Sequence, residues 1–251
     1  MNTYAIIGDV HSCYKELDKL LAQISITRNQ DEIPPELVFC GDLFDRGPDT
    51  VELVSWVLRN EPRCVRGNHD DKLLRFLKGS KIRVSPGLQV TLDGLCTYYN
   101  CKQEQLPAAA TKLRDYIDSM PMVLRLDENT FVSHGALTPD ASEKFDKVFD
   151  KKYQDYIRSI CLFGITTGNK TPEGYPERLS DAPYWDDYPN KKVFHGHIVT
   201  PSQEVEFEGV HKNVVMVDTG CVFGGKLSAV LYPEMKVLSV QSRYNYNEQL
   251  D

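Results

Sequence analysis

Short hydrophobic runs alternate with longer amphipathic segments along the first part of the chain. The run Tyr4 to Ile7 is typical of a buried strand, and residues 14–24 after it carry apolar side chains at helical spacing. Residues 37–40 predict a second strand, Asp49 can cap a second helix, and residues 63–65 predict a third strand. Consecutive pairs of strand and helix predict an α/β fold.

The middle of the chain has a less regular pattern. Residues 71–77 predict a short helix that ends at Gly79, and residues 106–120 have the spacing of a longer helix. Prolines and glycines interrupt residues 80–104, for which we predict loop and a short helix. Residues 166–189 are rich in proline, glycine and charge, and we predict that they form a long functional loop.

Short hydrophobic runs dominate the rest of the sequence and predict further strands. They lie at residues 122–126, 130–133, 193–195, 205–207, 214–217, 227–231 and 237–240. The strands after residue 191 suggest a second sheet packed on the first. A chain of this length can bury one sizeable core, so we expect a single domain over residues 1–251.

Composition and charge exclude several classes of function. The chain has a formal net charge of -7, whereas a general nucleic-acid surface or an acidic-membrane surface needs a basic footprint. No apolar run approaches the roughly 20 residues of a membrane-spanning helix. The seven cysteines are an odd number without CxxC pairs, so we expect reduced thiols and a cytoplasmic protein. Asp9, the first candidate catalytic residue, directly follows the apolar run at residues 4–7, so we expect no cleavable signal peptide before it.

Polar residues that can bind metal follow several predicted strands directly. The segments are Gly8-Asp9-Val10-His11, Gly41-Asp42-Leu43-Phe44-Asp45-Arg46-Gly47, Gly67-Asn68-His69-Asp70, Ser133-His134-Gly135, His195-Gly196-His197 and Asp218-Thr219-Gly220. The carboxyl ends of strands in α/β sheets are where sites assemble. Each segment alone is compatible with an ordinary turn, but together they supply the carboxylate, amide and imidazole ligands of a divalent metal site.

The ordered series GDVH, GDLFDRG, GNHD, HG and HGH resembles the phosphoprotein-phosphatase branch of the calcineurin-like metallophosphoesterases. Residues 218–227 look like the bacterial subset that contains symmetrical diadenosine tetraphosphatases and related small protein phosphatases. The resemblance spans residues 3–231. It implies an α/β fold of two packed mixed β-sheets, a β-sandwich flanked by helices, with a dinuclear metal centre.

The resemblance assigns six side chains to two divalent metal ions, with Mn²⁺ expected and Fe, Zn or Co as alternatives. These side chains are Asp9, His11, Asp42, Asn68, His134 and His197. It implies that Asp9 and His11 bind the first ion and that Asp42 bridges both.

The resemblance also assigns residues to the substrate. His69 matches the general acid of the family, and Asp45 matches the carboxylate that orients it. Arg46 matches an arginine that binds the phosphate group. A second such arginine is expected between the last two histidine ligands, where Arg178 is the best candidate and Arg158 stays open.

Two positions depart from the pattern of the family. The family usually has glycine after the first histidine ligand and glutamate after the general acid, whereas this chain has Ser12 and Asp70. Neither position binds metal in the family pattern. We therefore expect activity that is modified rather than lost.

The expected reaction is hydrolysis of a phosphate ester or anhydride through attack by a metal-bridging hydroxide. The leading hypothesis is a symmetrical bis(5'-nucleosyl)-tetraphosphatase, and the alternatives are a serine/threonine protein phosphatase or a catalytically silent metal-binding module. The expected partner is thus a small phosphorylated molecule, a dinucleoside polyphosphate or a phosphoprotein, and the oligomeric state stays open.

Two groups of residues could contact such a substrate. A basic run without acidic neighbours could receive the distal phosphates or could simply be a solvated face; it comprises Lys72, Arg75, Lys78, Lys81 and Arg83. Three aromatic residues could stack on a nucleobase or pack beneath a loop; they are Tyr184, Trp185 and Tyr188.

Overall fold

The computed structural model describes residues 3–27, 33–145, 151–172, 174, 176–208 and 212–246. Within these ranges the strands are β1 (Tyr4–Ile7), β2 (Glu36–Phe39), β3 (Arg63–Cys64), β4 (Val123–Arg125), β5 (Thr130–Ser133), β6 (Ile165–Lys170), β7 (Pro176–Leu179), β8 (Lys192–His195), β9 (Glu206–Glu208), β10 (Val214–Met216), β11 (Lys226–Tyr232) and β12 (Lys236–Gln241). The α-helices are α1 (Tyr14–Ile26), α2 (Thr50–Asn60), α3 (Asn68–Leu77), α4 (Pro86–Tyr99), α5 (Leu106–Ala109), α6 (Thr111–Ser119), α7 (Pro139–Lys144), α8 (Lys151–Phe163) and α9 (Ala182–Trp185).

The described strands form two five-stranded mixed sheets and a separate hairpin. The first sheet has the order β12-β11-β1-β2-β3, and the second has the order β4-β5-β8-β10-β9. In each sheet the three strands that precede metal-binding motifs run parallel, namely β1, β2 and β3 in the first and β5, β8 and β10 in the second. The predicted α/β fold with two mixed sheets and helices is therefore confirmed.

Alternating side chains of the central strands bury both faces of the first sheet. Ile6 and Val38 belong to one hydrophobic cluster with Val132 and Phe194 of the second sheet. Their neighbours along the strands, such as Ile7, belong to a larger cluster with the helices. A strand buried on both faces has a continuous run of hydrophobic residues, and the central strands of the first sheet show such runs in the sequence.

Residues 86–99 form helix α4, so the prediction of loop and a short helix was wrong there. Pro86 occupies the first turn of the helix, where its missing N–H costs no hydrogen bond. Gly94 lies inside the helix because a Cβ there would come within 2.7 Å of Thr50 Cβ on helix α2. Gly94 thus marks a close contact between two helices and not the end of a helix. The local sequence pattern does not distinguish these two roles of a glycine.

Three other predictions need correction. Residues 166–189 contain the hairpin of β6 and β7 and the short helix α9 instead of a continuous loop. Strand β11 pairs with β1 and strand β12 pairs with β11, so both belong to the first sheet and do not extend the second. The helix predicted over residues 106–120 is divided at Ala110, whose ψ of 34° departs from helical values.

None of the helices in the described ranges combines the length and the apolar character that crossing a bilayer requires.

Candidate metal centre

The predicted metal ligands lie in turns at the carboxyl ends of strands. Asp9 follows β1, Asp42 follows β2, His134 follows β5 and His197 follows β8. The first two turns are tied together, because His11 N–H donates to the Asp42 carbonyl oxygen at 2.9 Å. The order of strands in the two sheets therefore gathers side chains that are far apart in sequence.

The turns hold several ligands in an uncommon backbone conformation. His11, Asp42 and His197 have φ values of 46°, 47° and 66°. Non-glycine residues adopt the left-handed region rarely and at a cost of about 1–3 kcal/mol each. Such residues concentrate at functional sites, where the fold holds a side chain in a required direction.

Asp42 lies at the middle of the centre and is almost completely buried. Its Oδ2 atom is 3.7 Å from His11 Nε2 and 3.3 Å from His134 Nε2. Asp42 belongs to two groups of potential metal ligands. The first group is His11, Asp42 and His69, and the second is Asp42, His134 and His197; within each group the ligand atoms all lie within 4.8 Å of one another. A shared carboxylate between two clusters is compatible with a pair of metal ions.

Asp9 and Asn68 lie at the same centre. Asp9 Oδ2 accepts a hydrogen bond from His197 N–H at 3.1 Å, and Asn68 Oδ1 is 3.0 Å from His134 Nε2. Asp9 Oδ1 is buried and makes no hydrogen bond to any described residue. Because a buried carboxylate oxygen without a donor is costly, the residues present fit a bound cation.

Burial controls the charge of the two aspartates in different ways. Burial raises the pKa of Asp9 well above its usual value, and the neighbouring carboxylates Asp218 and Asp42 raise it further. Burial also acts to raise the pKa of Asp42, but the imidazoles of His134 and His69 hold it well below its usual range. A cation at the centre would favour the ionised form of both carboxylates.

Burial favours the neutral form of two histidines at the centre, His197 and His11. Burial lowers the pKa of His197 to about 2, and burial together with Arg46 lowers the pKa of His11 well below its usual value. His134 Nδ1 donates to the Cys40 carbonyl oxygen at 2.8 Å. Since a carbonyl can only accept, Nδ1 carries a proton and Nε2 is the atom of His134 that faces the centre. Burial acts to lower the pKa of His134, but the Asp42 carboxylate raises it above its usual value.

His69 and Asp45 form a close pair beside the metal ligands. His69 Nδ1 is 2.5 Å from Asp45 Oδ2, and the Asp45 carboxylate is buried. Helix α3 begins at Asn68, three residues earlier than predicted, so His69 lies in its first turn. The histidine rings of His69 and His11 are 5.0 Å apart. This geometry directs His69 Nε2 away from Asp45.

Arg46 and Arg178 each contact a different histidine of the centre. Arg46 Nη1 is 3.2 Å from His11 Nε2, and Arg178 Nη2 is 3.0 Å from His197 Nε2. Arg178 is carried by strand β7 of the hairpin. Arg158, the alternative, forms an ion pair with Asp71 at 2.6 Å and does not contact a predicted ligand. The structure thus brings Arg178 to the centre.

The two residues that depart from the family pattern, Ser12 and Asp70, form hydrogen bonds that hold the turns around the centre. Ser12 has a φ of 55°, and its Oγ accepts a hydrogen bond from the Thr50 hydroxyl at 3.3 Å. The Asp70 carboxylate accepts hydrogen bonds from Gly67 N–H and Phe44 N–H at 3.1 and 3.3 Å. Burial raises the pKa of Asp70 to about 7. Asp70 therefore connects two ligand-bearing turns although it is one methylene shorter than glutamate.

His195 and Asp181 form a buried pair behind the centre. His195 Nδ1 donates to the Gly135 carbonyl oxygen at 3.1 Å, and its Nε2 is 3.2 Å from Asp181 Oδ1. Burial lowers the pKa of His195 to about 3. Sequence reasoning missed Asp181, because it lies in the poorly patterned segment before α9 and no motif marks it.

Several other expected contacts do not reach the centre. Trp185 is completely buried and donates to the Leu137 carbonyl oxygen at 2.8 Å, so it packs in the core and cannot stack on a ligand. Asp218, in contrast, lies beside the centre: its Oδ1 accepts from Gly220 N–H at 3.0 Å, and its carboxylate raises the pKa of Asp9. In the basic run, Lys72 Nζ donates to the Ser85 hydroxyl at 2.9 Å.

Gly196→Ala is expected to reduce metal binding. A Cβ at position 196 would overlap Asp9 Oδ1 and lie 3.3 Å from Cys40 Cβ. Mutation of a residue that supports a metal ligand typically weakens metal affinity roughly 10- to 100-fold. Displacement of the candidate ligand Asp9 itself is expected to weaken it by at least as much. Manganese titration with inductively coupled plasma mass spectrometry measures this loss.

Gly168→Ala is the matched control for that measurement. Gly168 lies in the hairpin, and a Cβ there would have no atom within 4 Å, although its φ of 86° adds backbone strain. This variant should lose some stability and keep its metal content. Equal metal affinity of the two variants would contradict the placement of Asp9 at the metal centre.

Comparisons with known proteins place the chain in a family. The sequence matches the family described as calcineurin-like phosphoesterase over residues 3–225. It is 32% identical over 252 residues to a protein from Anoxybacillus flavithermus named bis(5'-nucleosyl)-tetraphosphatase PrpE (asymmetrical), with 97% of this chain and 96% of that protein covered. A protein of the same name from Bacillus subtilis is 31% identical over 256 residues, with 98% and 97% covered.

A solved structure shows the same fold. The serine/threonine phosphatase from Saccharomyces cerevisiae superposes with a TM-score of 0.62 at 15% sequence identity, covering 97% of this chain and 81% of that one. At that level of identity the likeness concerns the fold alone.

Proposed function

From its membership in the calcineurin-like phosphoesterases, which are enzymes that hydrolyse phosphoesters, we propose that the chain hydrolyses a phosphoanhydride bond of dinucleoside polyphosphates. One geometric feature supports the proposal most strongly: Asp42 is shared by two clusters of ligand atoms, with His69 and Arg46 beside them. Relatives that align with almost the whole chain and are named bis(5'-nucleosyl)-tetraphosphatases support the class of substrate.

The six predicted ligands would hold two divalent ions, and Asp42, which belongs to both groups of ligand atoms, would contribute to both sites. When bound, two such ions would supply an activated water at neutral pH and positive charge against the charge that develops on a phosphoryl group. Carboxylate, amide and imidazole ligands suit Mn²⁺, and Fe, Zn or Co also accept them. Mn²⁺ is the ion that we propose.

The two arginines bind the phosphoryl group in this mechanism. A guanidinium stays charged at physiological pH and matches the oxygen atoms of a phosphate with its fork of donors. Arg46 and Arg178 contact His11 and His197, which belong to different clusters. They can therefore hold two non-bridging oxygens of one phosphoryl group between them.

His69 protonates the leaving oxygen. Its Nδ1 atom is held by the buried Asp45 carboxylate at 2.5 Å, which fixes the orientation of the ring and leaves Nε2 to deliver a proton. The backbone N–H of His69 donates to Asp42 Oδ1 at 2.9 Å. The acid is therefore attached to the same carboxylate that we assign to the metal ions.

The position of cleavage separates two hypotheses. The sequence resemblance implies symmetrical cleavage, whereas both named relatives carry the designation asymmetrical. Because these relatives exceed 30% identity over almost the whole chain, we propose asymmetrical cleavage for this protein. Diadenosine tetraphosphate would then yield ATP and AMP.

Anion-exchange chromatography of the products tests the proposal. With Mn²⁺ present, the enzyme is expected to convert diadenosine tetraphosphate to equal amounts of ATP and AMP, more efficiently than it dephosphorylates a phosphothreonine peptide. Formation of ADP alone would establish symmetrical cleavage. Hydrolysis of the peptide without hydrolysis of the dinucleotide would overturn the proposed substrate and favour the protein phosphatase.

Two broader features accompany this proposal. Strand β1 pairs with β11, so segments from both ends of the described chain share one sheet, which supports a single domain. All seven cysteines lie in described ranges and are unpaired, which favours a reducing compartment such as the cytoplasm.

A further inference from the structure

The carboxyl end of helix α8 supports two parts of the candidate metal centre. Carbonyl oxygen atoms in the last turn of a helix have no partner within the helix, so they can accept hydrogen bonds from other segments. The Phe163 carbonyl oxygen accepts from Arg178 Nε at 3.0 Å, and Nη2 of the same arginine is 3.0 Å from His197 Nε2. The Cys161 carbonyl oxygen accepts from Gly135 N–H at 2.5 Å, in a turn that carries a candidate ligand. The position of α8 therefore determines where Arg178 lies.

The turn at Gly135 packs tightly against the end of α8. A Cβ at this glycine would lie 2.5 Å from Gly164 N and 2.9 Å from Phe163 N. Close-packed segments transmit a displacement to their neighbours instead of absorbing it. A displacement of α8 would therefore move Arg178 relative to the centre.

The middle of α8 is connected to helix α3 by an ion pair. Arg158 Nη2 lies 2.6 Å from Asp71 Oδ1, and the two side chains are 38% and 8% exposed. Asp71 belongs to the first turn of α3, two residues after His69. The ion pair thus joins the helix that carries the proposed general acid to the helix that holds Arg178.

The two helices differ in how firmly they are packed. Helix α3 buries five side chains, namely Asp70, Asp71, Leu73, Leu74 and Leu77. In α8, residues 151–156 are exposed or half-buried, and the buried side chains all come later; they are Ile157, Ile160, Cys161 and Leu162. A segment with few buried contacts depends more on each contact that it makes. Loss of the ion pair would therefore displace α8 rather than α3.

Asp71 keeps a second cation when Arg158 is removed. Arg66 Nη1 lies 3.8 Å from Asp71 Oδ1, and Arg66 precedes α3 in the chain. Removal of one partner from a buried pair is costly mainly because it leaves the other charge without a partner. Because Arg66 remains, substitution of Arg158 should release α8 without disrupting α3.

We propose that Arg158 is a positioning residue of this enzyme: its ion pair with Asp71 holds helix α8 where the Phe163 carbonyl oxygen fixes Arg178 at the centre. Arg158 acts through Arg178 and does not itself bind the phosphoryl group. The inference rests on the proposed function, because a displacement of α8 affects the substrate only if Arg178 binds phosphate.

Calorimetric titration of the manganese-loaded enzyme with inorganic phosphate tests this role. Arg158→Ala is expected to weaken phosphate binding roughly threefold to tenfold, the range for a residue coupled to a site through a network of contacts. KM for p-nitrophenyl phosphate should rise with it, and kcat and manganese content should change less. Arg158→Gln keeps the length of the side chain without its charge and should show the same loss, whereas Arg158→Lys keeps the charge and should restore most of the affinity.

A double-mutant cycle with Arg178 separates positioning from direct binding. Arg178→Ala removes a charged donor from the phosphate and is expected to weaken its binding roughly tenfold or more. In the Arg178→Ala background, Arg158→Ala should weaken binding by less than about twofold, because its effect passes through the residue that is already missing. Equal losses in both backgrounds would show that Arg158 binds phosphate independently and would overturn the positioning role.

Arg63→Ala is the matched control. The Arg63 side chain is 37% exposed and forms an ion pair with Glu36 at 3.0 Å, which joins strands β3 and β2 away from α8. This variant should bind phosphate as the wild type does.

The outcomes separate the positioning role from the proposed function. Wild-type phosphate affinity in Arg158→Ala, together with weakened binding in Arg178→Ala, would overturn the positioning role alone. Unchanged affinity in Arg178→Ala would overturn the phosphate-binding role of Arg178 and the positioning role with it. If the cycle shows coupling but diadenosine tetraphosphate is not hydrolysed, the proposed substrate fails and the positioning role stands.

Discussion

Asp42→Asn is expected to reduce phosphoesterase activity by more than roughly 100-fold. Mutation of a residue that only supports a metal ligand typically costs roughly 10- to 100-fold, and Asp42 is assigned as a ligand itself. The asparagine keeps one oxygen that can accept from His69 N–H, so the turn should survive. It lacks the negative charge and the second ligand oxygen, Oδ2, that lies between His11 and His134. The variant should also bind fewer than two Mn²⁺ ions per chain, measured by mass spectrometry after dialysis.

Asp49→Asn is the matched control for this experiment. Asp49 is as deeply buried as the ligand aspartates, but it binds Lys15 through its carboxylate and lies outside the centre. Its replacement should leave two Mn²⁺ ions and full turnover. Asp42→Asn with unchanged metal content would reject the assignment of Asp42 as the bridging residue.

His69→Asn is expected to keep its metal ions and to lose roughly 10²- to 10⁴-fold in turnover on substrates with poor leaving groups. An alkyl phosphate has such a leaving group, because the departing alkoxide needs a proton. p-Nitrophenyl phosphate has a good leaving group and should be affected less. The slope of log kcat against the pKa of the leaving alcohol should therefore become steeper in the variant.

The double variant His69→Asn with Asp45→Asn tests whether the two residues act as one unit. Asp45 is hydrogen-bonded to His69 and is assigned no other role in the proton transfer. Once His69 is gone, removal of the Asp45 charge should cost little further turnover, because residues that act together are not additive. Equal turnover of His69→Asn and wild type on an alkyl phosphate would show that another group supplies the proton.

The fold could be predicted well where a local pattern and its tertiary environment agree. Strand β1 and helix α1 begin where the hydrophobic pattern places them, since both bury their apolar side chains in the same core. Helix α4 was missed because Gly94 is favoured by contact with Thr50 on another helix. Such a contact leaves no periodic signal near the glycine.

The grouping of the candidate metal ligands was predictable to a similar extent. The motifs after the strands identified Asp9, Asp42 and His134 because each combines a strand end, a turn and a ligand type within a few residues. The sequence did not separate Arg178 from Arg158. Only the pairing of β6 with β7 carries Arg178 to His197, while helix α8 carries Arg158 to Asp71.

The amino-acid sequence alone determined the kind of chemistry, because ligand type, spacing and strand ends are local properties that survive without coordinates. Distances between segments were decided by the tertiary structure, since they depend on which strands become neighbours in a sheet. Asp42 lies between two histidine clusters for that reason. The ion pair of Arg158 with Asp71 was also decided by the tertiary structure, because it joins helices α8 and α3, which no sequence motif connects.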